Sequence, residues 1–135
     1  MLNEKQVATY ALLADVLIPS AEGMPSASEA DVPTVWILKA LEYRPDLKDT
    51  FLAALDSCAD QDPSDSLQRL NEDDTVSFDA VGVLTSGAYF LNPEIKSRIG
   101  YPGQQPVPAK DDSETYLDLL AAVAERGPIY RATVE

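Results

Sequence analysis

Apolar residues recur three and four positions apart along most of this chain, and a proline stands at nearly every break in the pattern. Val7, Tyr10, Ala11, Ala14, Leu17 and Ile18 make one helical stripe. Asn3 is placed to cap it, with Gln6 in the capping-box position, and Pro19 ends it. Ser20 to Asp31 reads as a loop of small and acidic residues broken at Gly23 and Pro25. Pro33 suits the first turn of a second helix, with Val35, Trp36, Leu38, Ala40 and Leu41 as its apolar positions. Pro45 opens a third, with Leu47, Phe51, Leu52, Leu55 and Cys58 on one side. The acidic stretch at about 60–76 reads as a linker, with room for a short helix at Leu67 and Leu70.

Ser77 is the expected cap of a fourth substantial helix, Phe78 to Leu91, whose core stripe is Val81, Leu84, Ala88 and Leu91. Asn92-Pro93 breaks it, Glu94 to Ile99 is short and helical, and Gly100 is its left-handed cap. A Pro/Gly-rich loop follows at about 100–112, long enough in a small domain to be either functional or mobile. The last helix runs from about Ser113 to Arg126, with Tyr116, Leu117, Leu119, Leu120 and Val123 expected inward, and Gly127-Pro128 stops it. The tail from Ile129 alternates apolar and polar residues without a partner strand in view. There is no other period-2 pattern and no internal repeat. The expected fold is therefore all-α, an irregular bundle of five or six helices in a single domain, 1–135.

Composition narrows the function classes. Apolar residues make up 45% of the chain, too many for disorder. Ten Lys and Arg face 23 Asp and Glu, for a net charge of −13. Such a chain is repelled by nucleic acid and by anionic lipid, which are bound by Lys and Arg that displace counterions. The charge either keeps the protein soluble or draws it to a basic protein surface. The uncharged run from Ala80 to Pro93 falls short of the ~18 apolar residues that cross a bilayer. Met1 to Gln6 shows no basic region, apolar core or twin arginine of an export signal, which points to the cytoplasm.

The chemistry of independent catalysis is missing from the sequence. The chain has no histidine, hence neither the commonest general base nor the commonest metal ligand. Its single cysteine, Cys58, lies in an apolar pattern and reads as a small core residue. One thiol assembles neither a zinc site nor an iron–sulfur cluster. No glycine-rich phosphate cradle occurs. Asp60-Gln61-Asp62-Pro63-Ser64-Asp65 resembles the start of a calcium loop. It fails where Asp65 replaces the turn glycine, and again where Asn71 replaces the bidentate glutamate. No cofactor, metal or catalytic residue is expected in this chain.

What remains is a constellation around the uncharged run. Soluble chains rarely set an aromatic between Gly, Pro and Gly unless the backbone turns sharply and the ring has somewhere to go. Tyr89 and Phe90 are adjacent and do not both face a core, so at least one is expected at the surface beside Tyr101. The rings either complete the domain's own core or form an anchor patch for a partner. The expected partner-binding residues are Tyr89, Phe90, Asn92, Pro93, Gly100, Tyr101, Pro102, Gly103 and Gln104.

Three stretches carry a family resemblance. Leu12-Leu13-Ala14-Asp15-Val16-Leu17-Ile18-Pro19 is a helix ending in Ile-Pro. Gly23-Met24-Pro25-Ser26-Ala27-Ser28-Glu29-Ala30-Asp31-Val32 is a small-residue loop with an Ala-Ser-Glu-Ala core. Phe90-Leu91-Asn92-Pro93-Glu94 leads to Ile99-Gly100-Tyr101-Pro102-Gly103. In order and spacing, from about residue 7 to 108, these resemble the gluconate 2-dehydrogenase subunit 3 family. Its members are small subunits of flavin-dependent sugar and polyol dehydrogenases. The resemblance implies a non-catalytic subunit. Its large partner would be a glucose–methanol–choline oxidoreductase carrying FAD and the catalytic histidine, which the small subunit helps to fold and, where exported, escorts through the twin-arginine pathway. Many members carry a twin-arginine signal, and this chain departs from them. It is a mature form, or its complex stays in the cytoplasm, or the large subunit carries the signal; the periplasm remains open in the first and last cases. The alternative reading is a free-standing acidic module, a chaperone or inhibitor of a basic protein.

Overall fold

The computed structural model of the chain describes residues 2–106, 113–127 and 129. It is all-α, as the spacing predicts: seven α-helices and no strand occur among the described residues, apart from one isolated bridge between Ala21 and Met24. The helices are α1 (Glu4–Leu17), α2 (Ile37–Tyr43), α3 (Lys48–Cys58), α4 (Pro63–Asp73), α5 (Thr75–Leu91), α6 (Pro93–Arg98) and α7 (Ser113–Arg126). The sequence reading drew one domain; the chain divides into two compact units, Met1–Gly103 and Gln104–Glu135, each described by itself.

In the first unit α1 begins as expected. Asn3 Oδ1 accepts the Gln6 N–H at 2.8 Å and the Gln6 side chain accepts the Asn3 N–H at 3.1 Å, a reciprocal capping box. The second helical region differs. Val32–Trp36 is a π-helical turn in which Trp36 N–H donates to the Asp31 carbonyl at 3.3 Å. The wider turn shifts the helical phase. Val32, Pro33, Ile37 and Ala40 therefore face the core, while Val35 and Leu38, expected inward, are exposed. In α3, Phe51, Leu55 and Cys58 are buried as expected, joined by Ala54.

The stretch read as an acidic linker is a core helix. Asp62 caps α4 by accepting the N–H groups of Ser64 and Asp65 at 2.9 and 3.0 Å, and Pro63 occupies the first turn. Leu67 and Leu70, three positions apart, are buried, and the acids point to water. Asp74 then ends α4 and caps α5, displacing the expected cap Ser77, which lies buried one turn inside. Asp74 Oδ1 accepts the Ser77 N–H at 3.2 Å, and bonding from Ser77 holds its pKa below the usual carboxylate value.

Helix α5 is the centre of the unit and packs against α1, α2, α3, α4, α6 and the π-turn. Val81, Leu84 and Ala88 are buried as expected, with Ala80, Thr85 and Tyr89 beside them; Leu91 is only partly buried. Tyr10 stands edge-on to Phe51, ring centres 5.0 Å apart, and donates to Thr85 Oγ1 at 3.1 Å. In the second unit Tyr116, Leu117, Leu119, Leu120 and Val123 of α7, expected inward, are all exposed. A lone helix has nothing of its own to bury that face against. The expected tail, apart from Ile129, and residues 107–112 of the expected loop lie outside the described residues.

Candidate functional site

The end of α5 is held by a set of bonds to the small-residue loop. Tyr89 is buried and donates its hydroxyl to the Pro25 carbonyl at 2.7 Å. Burial pushes its phenol pKa up, partly offset by the Arg98 charge. Asn92 is buried too. Its Nδ2 donates to the Ala30 carbonyl at 3.1 Å, and its Oδ1 caps α6 by accepting the Glu94 N–H at 2.8 Å. Arg98 pairs with Glu94 at 2.7 Å and donates to the Gly23 carbonyl at 3.1 Å. The loop is fixed at its other side by Asp15, whose Oδ1 accepts the Ser28 N–H at 2.8 Å, and by Ala27 N–H on the Ile18 carbonyl at 3.0 Å. The Ala-Ser-Glu-Ala loop thus bonds both to the helix ending in Ile-Pro and to the Asn-Pro junction.

Beyond α6 the chain turns through a Schellman arrangement. Tyr101 N–H donates to the Lys96 carbonyl at 2.8 Å and Gly100 N–H to the Ser97 carbonyl at 3.0 Å. Gly100 supplies the left-handed φ of 69° that this requires. The turn delivers Tyr101 to the surface, 50% exposed, with Pro102 exposed beside it.

The nine residues read as partner-binding therefore separate. Tyr89 and Asn92 are interior and hold the loop. Phe90, Pro93, Gly100, Tyr101 and Pro102 are at the surface, and Gly103 is partly so. Gln104 is exposed and begins the second unit. Of the adjacent rings it is Phe90 that emerges, 50% exposed, edge-on to Tyr89 at 5.6 Å. Ile99, next to Gly100, is exposed as well.

The sequence reading missed the outer face of α5. Val76, Val83 and Phe90 follow one another at two-turn intervals and are all exposed, with Gly87 on the same face. Asp79 is the one charge in the whole helix. Ala40 and Tyr43 of α2 meet Val83, Gly87 and Leu91 of α5 across an apolar groove of about 190 Å³. A Cβ at Gly87 would meet nothing within 4 Å, so no neighbour among the described residues requires a glycine there. The seven-residue repeat of apolar side chains was the signal available.

Among the described residues no group of three or more His, Cys, Asp or Glu is placed to hold a metal ion, and no helix is long and apolar enough to cross a membrane. Searches against protein-family models, curated proteins and solved structures found no match to this chain.

Proposed function

We propose that this chain is a non-catalytic small subunit that binds and stabilises an FAD-dependent glucose–methanol–choline dehydrogenase acting on a sugar, glycoside or polyol. The observation that carries the subunit reading is the uncovered outer face of α5. A helix apolar on one side packs on its own core; one apolar on two sides needs a second surface to cover it. Val76, Val83 and Phe90 supply that second side, and Tyr101 stands on a fixed turn at the end of the same region. The choice of a flavoprotein partner rests on the three quoted stretches, of which the middle one bonds to each of the other two. The flavin and the chemistry belong to the large subunit, and no residue of this chain is assigned to either. Binding the folded large subunit and not its unfolded chain stabilises it by mass action.

The test is affinity purification of the tagged chain from its native cells in about 0.5 M salt, where exposed charges are screened within a few ångströms. A co-eluting large subunit with flavin absorbance is the expected result. A colourless monomer that stays folded overturns the reading. Within the complex, Tyr101→Ala should weaken association by about 2 kcal/mol or more, as truncation of a buried aromatic anchor does. A Tyr101→Ala chain that dissociates no faster than the parent removes Tyr101 from the interface and leaves the function standing.

A further inference from the structure

A second surface, away from the face of α5, has its own chemistry. Between α1 and the π-turn runs an open groove of about 510 Å³. Its apolar wall is Val7, Ala8 and Ala11 on one side and Pro33 on the other. Its charged lining residues are Glu4 and Asp31, and no Lys or Arg among the described residues lines it. Asp31 stands at the start of the π-turn in left-handed backbone, φ 58°, and its carboxylate makes no capping bond. Neither carboxylate has an ion-pair partner among the described residues. The nearby lysines are engaged elsewhere: Lys5 of α1 pairs with Asp60 at 2.6 Å, and Lys39 of α2 lies over the Trp36 ring at 4.7 Å. The groove is thus an apolar trough with an unneutralised acidic lining, on a chain of net charge −13.

We infer that this groove receives a basic amphipathic helix of a partner protein, with aliphatic side chains against Val7, Ala8 and Pro33 and Lys or Arg side chains against Glu4 and Asp31. The charge of the lining selects a cationic partner and steers it to the groove. The shape selects a helix. Val7, Ala8 and Ala11 span just over one turn of α1, and the two alanines let a second helix axis approach closely. Recognition is then of the helix-in-groove kind, with anchors at helical spacing. No flavoprotein is needed for this inference, so it stands or falls apart from the subunit reading.

The experiment is an NMR titration of the ¹⁵N-labelled full chain with a synthetic Leu/Lys amphipathic peptide of about five helical turns. The same pattern of Leu and Glu is the control peptide. Saturable shifts at the Glu4, Val7, Ala8, Ala11, Asp31 and Thr34 amides are expected, with the Leu/Glu peptide inert. Glu4→Gln with Asp31→Asn should weaken binding about fivefold, the effect of two partly screened pairs. Asp49→Asn with Glu72→Gln, carboxylates outside the groove, should change it by less than about twofold. Ala8→Lys, at an exposed helical position that accepts Lys, should abolish binding with an unchanged melting midpoint. Shifts spread over the whole acidic surface, equal weakening by the two double variants, or no saturation up to about 1 mM peptide overturns the inference.

Discussion

Tyr10 carries a hydroxyl into a fully buried site, and Thr85 is what makes that tolerable. The Tyr10 proton goes to Thr85 Oγ1 at 3.1 Å, and the Thr85 proton goes to the Val81 carbonyl at 2.7 Å. Each buried polar atom of the pair is satisfied. The same burial drives the Tyr10 pKa well above its ordinary value, against a smaller opposing effect of the Thr85 bond. A raised phenol pKa means that the folded state holds the proton more tightly than the unfolded chain, where the group titrates near 10. Its contribution to stability is complete below pH ~10 and is lost as pH rises beyond that value. The urea midpoint should accordingly fall steeply above about pH 10. Tyr10→Phe should cost about 1 kcal/mol at neutral pH, since Thr85 keeps its own acceptor, and should flatten the alkaline fall. Tyr89, whose pKa is also raised, leaves part of the slope. A variant that loses stability above pH ~10 as steeply as the parent overturns the assignment to Tyr10.

Gly87 separates the two demands placed on α5. Among the described residues a methyl group there touches nothing, and alanine favours a helix over glycine by about 1 kcal/mol. Gly87→Ala should therefore raise the thermal midpoint of the isolated chain. If the partner covers the groove beside Val83, the same methyl group should weaken association, so that stability and binding move in opposite directions. A variant that gains stability and binds as before shows that the partner does not reach Gly87. How legible an element was depended on whether its signal was local. The capping box at Asn3, the Asn92-Pro93 junction and the cap at Gly100 are each written within a few residues, and each stands in the structure. Helix α4 reads as an acidic linker with room only for a short helix because its acids outnumber its apolar residues, and two leucines are enough for a core helix when both face inward. The extra residue of the π-turn leaves no mark on the spacing rule, yet it turned Val35 and Leu38 outward. In the candidate site, the exposure of Tyr101 and of one ring of the Tyr89-Phe90 pair was legible but not which ring, whereas the burial of Tyr89 and Asn92 depends on carbonyls of Pro25 and Ala30 more than sixty positions away.

At the scale of the whole molecule, every residue of the buried apolar cluster, from Tyr10 to Ile95, belongs to Met1–Gly103. The second unit contributes α7, a fourteen-residue helix whose large apolar residues are exposed. A helix of that length is marginal in water by itself, because nucleation is costly. Because the buried cluster lies within Met1–Gly103, that unit is expected to fold by itself. A chain ending at Gly103 should unfold in one cooperative urea transition, with coincident near- and far-ultraviolet circular dichroism. Its slope should be about 1–2 kcal/mol/M, as suits a domain of this size. Non-coincident transitions, or helix without fixed aromatic signals, would show that the core requires residues beyond Gly103. The cooperative outcome leaves α7 with no part in folding, so that its apolar face, like that of α5, is available to bind. In the proposed complex the shortened chain would then dissociate faster than the full chain, although the two unfold alike when isolated.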